Sequence, residues 1–489
     1  MAVSEAVDLA PGVLAEALEN CAARARQTGM ARVFALGLPV EDCDPLAAYA
    51  EFGAEDRFFW GQRARAFSIA GRGAVLEVES SGGSAGTVSV SAAIAEHFDS
   101  FDRVGEAAPL FVGGFAFDAR ATGQGDWERF PAGRMVLPEL LLRRCGEETR
   151  ATLCLAVEPG ADPQRLLDDL LAQLESVRKL EGLADCPSPG ASDALSDPSE
   201  AGAEYRVVAD RSHRVFHRQV ESALADIQAG GLEKVVLARS LEVFHPGRFA
   251  IPSFLEQLGS LYPHCTVLAC GRGEDTLVAA SPELLVSLRE GEVEACALAG
   301  SAARGRSPEE DAELSRALRE SKKEQAEHEA VARTIRAGLA HWTEELEGPE
   351  APELMRVLGI QHLATPFRGR LAAGRRGAGV LDLVASLHPT PAVAGLPRQA
   401  ALDWIAENEG LARGWYAGPI GWVDAEGGGE FWLALRSALV RNAASGEAGA
   451  ASRARLFAGA GLVDGSVPQA ELVETRLKLR ALLAPLTEI

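Results

Sequence analysis

The sequence contains no pair of cysteines in CxxC spacing, although eight cysteines are scattered over its 489 residues. That argues against a small disulfide scaffold and for reduced thiols. Long apolar runs are also missing: no stretch approaches ~18 continuous apolar residues, so no membrane-spanning helix is expected. The opening MAVSEAVDLAPGVLAEALENCAARARQ has no basic segment leading into an apolar run. A secretory leader is therefore not expected, and the cytoplasm is the expected location. Positive charge is scarce too, with 48 Lys and Arg against 70 Asp and Glu, a net charge of −22. Nucleic acid and anionic membranes are poor partners for such a chain. An anionic substrate would be repelled by the overall field, so its site would need a local cluster of metal and basic side chains.

The chain is 47% hydrophobic and 24% charged, enough to build a sizeable core. Its length allows two or three ordinary domains or one unusually large one. The segment 185–203, DCPSPGASDALSDPSEAGA, reads as a mobile connection rich in Pro, Ser, Gly and Asp. It separates 1–184 from 204–489. Before it, strand pairs are expected for Ala64 to Glu79 around Gly71-Arg72-Gly73 and for Arg134 to Glu158 around Gly146. LFVGGFAFD (110–118) reads as a further strand, and a helix is expected over 163–180. After it come a helix ending at Gly230-Gly231, a strand over 234–244, a strand LVAASPELLVSL (277–288) and a short one at 293–300. Ser307 to about Leu339 is helical, and capping boxes at Ser307 and Ser321 allow two helices there. GPIGWVDAEGGGEFWLALRSALVRN and RARLFAGAGLV read as three strands, and the last helix begins after Ser466-Val467-Pro468. No internal repeat is present. This mixture favours a layered α+β fold.

Within these helices, Glu324 with Glu327 and Glu471 with Glu474 have i, i+3 spacing, so each pair shares a helical face. Val331, Ile335 and Leu339 continue the Glu327 face in four-residue steps, which directs the carboxylates inward. Unpaired buried charges are costly, and a hard cation such as Mg²⁺ would relieve them through oxygen ligands. Spacing alone leaves open two helices with ordinary solvated glutamates. His213 and His217 are at i, i+4 but lack a metalloprotease glutamate between them, and read as helix-surface residues.

The residues around these glutamates carry a wider pattern. Lys234-Val235-Val236-Leu237-Ala238-Arg239, Ser281-Pro282-Glu283-Leu284-Leu285, Ala297-Leu298-Ala299-Gly300-Ser301 and Glu324-Gln325-Ala326-Glu327-His328 come in that order. His362-Leu363-Ala364-Thr365-Pro366-Phe367, His388-Pro389-Thr390-Pro391, Phe457-Ala458-Gly459-Ala460-Gly461 and Glu471-Leu472-Val473-Glu474-Thr475 follow. Eight such motifs in order resemble the chorismate-utilising enzymes, and within that group the isochorismate synthases. The resemblance implies one large α/β domain (of α+β type), with two stacked antiparallel sheets and helices outside; 185–203 is then a surface loop.

The same resemblance implies the roles of single residues. Lys234 would be the general base that activates water and Glu283 the general acid for the leaving hydroxyl, the latter needing a raised pKa. Glu327 and Glu474 would ligate Mg²⁺ directly, with Glu324 and Glu471 holding waters or acting as further ligands. Lys478 and the amides near Gly459 and Gly461 would hold the carboxylates of chorismate, and Ser301 would touch the substrate. Tyr416 and Arg436 match positions at the enolpyruvyl carboxylate, His388 one beside the ring; His362 is left without a role. Lys234 suits water, where glutamine is usual when ammonia attacks, and Ala299 stands where a covalent lysine would be needed for aminodeoxychorismate chemistry. No amidotransferase segment is apparent, and a monomer is the default expectation. Salicylate synthase, which goes on to eliminate pyruvate, is the rival reading. A non-catalytic scaffold and Mg²⁺-dependent phosphoryl transfer rank below it. Ala297, where proline is frequent, and Glu329, on another face, depart from the pattern. The long front half resembles menaquinone-pathway members more than siderophore ones.

Overall fold

Side chains alternate between two cores along the strands of one large sheet. In Thr266–Arg272, Leu268 and Cys270 join one buried cluster while Val267 and Ala269 join the other; Val33 and Ala35 alternate with Phe34 and Leu36 in the same way. A sheet buried on both faces needs a cover on each. In the computed structural model, which describes residues 10–184, 205–443 and 451–487 apart from positions 54, 124, 358 and 376, a second sheet covers one face. Helices Pro11–Thr28, Pro163–Arg178, Ile251–Leu261 and Pro468–Thr487 pack on the larger sheet and contribute to the other core. Helices Lys322–Leu339 and Val380–Leu387 pack against the smaller sheet. Among the described residues the larger sheet has 13 strands and the smaller 10. Pairing is antiparallel except between Arg32–Val40 and Phe101–Val104, which run parallel at one edge.

Both sheets draw strands from either side of 185–203, a segment outside the described residues. Helix positions follow the apolar periodicity: Pro163–Arg178, His213–Gln228 and Pro468–Thr487 are formed, and Ser321 separates Pro308–Glu320 from Lys322–Leu339. Ser321 caps the second of these by accepting the Glu324 N–H at 3.3 Å. The hairpin around Gly146 is formed by Leu140–Cys145 and Glu148–Val157.

Three expected strand groupings are corrected. Phe67–Arg72 and Leu76–Ser80 are not a pair but belong to different sheets. LVAASPELLVSL is two strands, Asp275–Ser281 in the larger sheet and Leu284–Arg289 in the smaller. The C-terminal run holds four strands, because Gly429–Leu433 and Ser437–Arg441 also lie in different sheets. At the latter two crossings the strands on both sides are buried, so the apolar pattern continues across each crossing and conceals it.

A buried ion pair ties strand Lys234–His245 to the segments around Val393 and Glu409. Arg413 binds both oxygens of Glu409 and donates to the carbonyls of Val393 and Val236, each at 2.8 Å. Glu409 Oε2 accepts the Ala238 N–H at 2.8 Å, within strand Lys234–His245. Removing one partner of such a pair strands the other charge in the core. Glu409→Gln is expected to lower unfolding free energy by about 3–5 kcal/mol in urea denaturation; an unchanged midpoint would mean that the pair carries no such role.

Candidate active site

Two crossings between the sheets deliver reactive side chains. At Ser281-Pro282-Glu283 the chain leaves the larger sheet for the smaller. Glu283 is 3% exposed, and burial pushes its carboxyl up to about 8 against the pull of Lys234 and Lys478. It is therefore a carboxylic acid near neutral pH. The return crossing places Arg436 at φ 47°, a left-handed conformation unusual for a non-glycine residue. Its Nη2 lies 3.1 Å from His362 Nε2. Arginine only donates, so Nε2 accepts and Nδ1 carries the proton that goes to Ser301 Oγ at 2.8 Å. Burial, with Arg436 and Lys478 nearby, holds His362 well below its ordinary pKa and so neutral. The Ser301 hydroxyl is then free to donate elsewhere.

Ser301 reaches this position through a break in register between Ala299 and Ser301, where Gly300 has φ 74°. Its N–H donates to Glu324 Oε2 at 3.0 Å. Glu324 thus serves the neighbouring strand rather than closing a reciprocal capping box.

Lys234 and Glu327 meet in the space that Gly461 leaves open. Lys234 Nζ is 2.9 Å from Glu327 Oε1, an ion pair without a well-directed hydrogen bond, so the ammonium keeps donor capacity in reserve. Gly461 pairs with Val236, two residues along from Lys234 in the facing strand. A Cβ on Gly461 would lie 2.4 Å from Glu327 Oε1 and 3.1 Å from Lys234 Cε. The glycine makes room for the ion pair. Burial works to raise the Glu327 pKa, but Lys234 beside it, with Lys323 and Lys478, holds it below the ordinary value.

The other glutamates are matched to lysines. Lys323 Nζ donates to Glu471 Oε1 at 3.0 Å and lies 3.3 Å from Glu324 Oε1. Lys478 Nζ donates to Glu474 Oε1 at 2.7 Å and to the Gly459 carbonyl at 2.9 Å. Burial raises Glu324 and Glu471, and the carboxylates of Glu327 and Glu474 add to the effect. Among the described residues no three His, Cys, Asp or Glu side chains close on a point as a metal cage would. The donor chemistry still suits a hard cation: four carboxylates on two helices, oxygen ligands only, with like charges close enough to perturb one another.

These parts surround a cavity of about 90 Å³. Of the residues expected from sequence, Glu283, Ser301, Glu327, Tyr416, Arg436, Gly459, Gly461, Glu474 and Lys478 line it. Tyr416 stacks on Phe457 at 5.0 Å, and a Cβ on Gly459 would approach its hydroxyl to 3.1 Å. Glu324 and Glu471 stand outside the lining but beside it, joined through Lys323. Lys234 is outside the lining too, in contact with Glu327. His388 is half-buried with Nε2 3.2 Å from the Phe117 carbonyl and does not line the cavity. His362, left without a role above, does line it. Only its place opposite Ser301 in the paired strands distinguishes it, and that needs the sheet register.

A family model described as chorismate binding enzyme matches residues 16–487. The chain belongs to the chorismate-binding enzymes. Across 386 residues this family member is 39% identical to the salicylate biosynthesis isochorismate synthase of Pseudomonas aeruginosa, covering 79% of this chain and 76% of that one. It is 31% identical over 484 residues to isochorismate synthase MenF of Bacillus subtilis, covering 95% of each. Among solved structures, MenF, the menaquinone-specific isochorismate synthase from Escherichia coli, superposes with a TM-score of 0.73 at 26% identity, covering 97% of this chain and 100% of that one.

The raised acid predicts a pH-dependent stability difference. Between the ordinary carboxylate value of 4.5 and about 8, the folded chain holds a proton on Glu283 that the unfolded chain releases. Stability therefore falls as pH rises through that window. Glu283→Gln, which never ionises, is expected to have a higher Tm than the parent at pH 7, with the gap closing towards pH 4.5. Equal Tm values at pH 7 would contradict the raised pKa.

Proposed function

We propose that this chain is an isochorismate synthase, adding water at C2 of chorismate and expelling the C4 hydroxyl as the ring double bonds shift. The observation that carries the reading is Glu283: a carboxyl held protonated near neutral pH on the wall of a cavity that also presents Arg436 and Lys478. A dianionic substrate gains from both cations despite the net charge of −22. Glu283 would protonate the departing hydroxyl, which leaves as water. Lys234 would take a proton from the attacking water. An ammonium has no lone pair, so Lys234 must first lose its proton to do this.

Mg²⁺ held by Glu327 and Glu474, with Glu324 and Glu471 behind them, would neutralise the ring carboxylate of the substrate. Arg436, kept in place by His362, would pair with the enolpyruvyl carboxylate. Ala299 on the cavity wall offers no nucleophile for a covalent amination route.

Supply of menaquinone synthesis is supported by the match to Bacillus subtilis MenF over 95% of both chains. Supply of salicylate synthesis is favoured by the 39% identity to the Pseudomonas aeruginosa enzyme named for it. Restoring menaquinone in a strain lacking its own isochorismate synthase supports the first use; restoring only salicylate production supports the second.

Incubation with chorismate and Mg²⁺, followed by chromatography, is expected to give isochorismate without salicylate, pyruvate or anthranilate. Salicylate with equimolar pyruvate would replace this reading by salicylate synthase. Chelation of Mg²⁺ and Lys234→Ala are each expected to reduce turnover at least about a hundredfold, with circular dichroism unchanged for the variant. Retained turnover in Lys234→Ala would remove Lys234 from the role of base.

A further inference from the structure

Arg436 and Lys478 belong to two chambers at once. Both line the cavity of about 90 Å³, and both also line a neighbouring cleft of about 690 Å³ beside the helices Ile251–Leu261 and Pro468–Thr487. Arg436 forms the partition. On one side its Nη2 meets His362, while on the other its guanidinium carbon lies 5.7 Å from the ring centroid of Tyr262, a residue of the cleft wall. Its Nη1 is buried without a hydrogen-bond partner. The Tyr262 hydroxyl donates to the Ala481 carbonyl at 2.9 Å, which fixes the ring between the two helices.

The charge lining the cleft is unbalanced in a chain of net charge −22. Glu256, its acidic residue, is paired with Arg63. Lys478 is paired with Glu474. Arg480, one turn past Arg476 on the C-terminal helix, is exposed, lines the cleft, and has no ion pair or hydrogen bond among the described residues. An unpaired guanidinium lining such a cleft concentrates anions locally, against the repulsion of the whole surface.

We propose that this cleft is the antechamber through which the dicarboxylate substrate reaches the cavity, and that Arg480 steers it there. The inference rests on chorismate being that substrate. Arg480 takes no part in bond making. Its field adds to that of Arg436 and Lys478 both on entry and at the bound carboxylates, without touching the reacting atoms, so its removal should weaken binding and kcat/KM and leave kcat alone.

The test compares the parent with Arg480→Gln, Arg480→Glu and a control, Arg165→Glu. Arg165 is an exposed arginine on Pro163–Arg178 that does not line the cleft. The control makes the same change in net charge as Arg480→Glu. Chorismate Kd by calorimetry and steady-state kcat and KM are measured from ~10 mM to ~500 mM ionic strength, where the screening length falls from ~30 Å to a few ångströms. Arg480→Glu is expected to weaken Kd and kcat/KM about tenfold at the lowest salt, with Arg480→Gln between it and the parent. The loss should fade at the highest salt, kcat should hold throughout, and the control should follow the parent. Parent-like values for Arg480→Glu at low salt, a loss matched by the control, or one undiminished by salt would overturn the proposal. Binding by the parent without turnover would indict the proposed reaction while leaving the route testable by Kd. A parent that binds no chorismate would overturn both.

Discussion

The contact between Lys234 and Glu327 is the interaction on which the rest of the site depends. It places a buried ammonium beside a buried carboxylate at 2.9 Å, in a volume that exists because position 461 carries no side chain. Neither charge would be tolerated there alone. The pair also joins two proposed jobs, since Lys234 is the proposed base and Glu327 a proposed metal ligand. Lys323 repeats the arrangement between Glu324 and Glu471, and Lys478 repeats it beside Glu474. The acidic cluster is thus balanced one lysine at a time, which lets four glutamates lie close together beside a buried cavity.

The fold supplies the second constraint. Glu283 and Arg436 stand where the chain passes from one sheet to the other and back. A crossing between two packed sheets is deeply buried, yet its backbone leaves the regular ladder, so a polar side chain there faces the space between layers. This explains how Glu283 becomes a raised acid without any neighbouring carboxylate as the cause, and why Arg436 adopts a left-handed backbone. The Arg413–Glu409 pair holds another part of the frame, binding the carbonyl of Val236 and the N–H of Ala238 in the strand that carries Lys234.

Local spacing revealed the helices and the shared faces of the glutamate pairs, because amphipathic periodicity survives in a single sequence. Glu327, Val331, Ile335 and Leu339 are buried on one face as their spacing implied. The resemblance, rather than spacing, pointed to Glu283, Arg436 and Lys478. The sheet crossings stayed hidden because strands buried on both faces are apolar throughout, so LVAASPELLVSL reads as one strand. His362 was illegible for another reason: its value lies in standing across the sheet from Ser301 and against Arg436, contacts at sequence separations of 61 and 74. Lys323 gave no signal because a lysine beside glutamates on a helix is usually solvated.

A double-mutant cycle on unfolding free energy tests the central contact most directly. Lys234→Met, Glu327→Gln and the double variant are unfolded in urea, in metal-free buffer. Each single variant strands one buried charge or buried polar group, so each should lose about 3–5 kcal/mol, and the double should lose clearly less than their sum, with a coupling of about 1–3 kcal/mol. Losses that simply add would contradict the account.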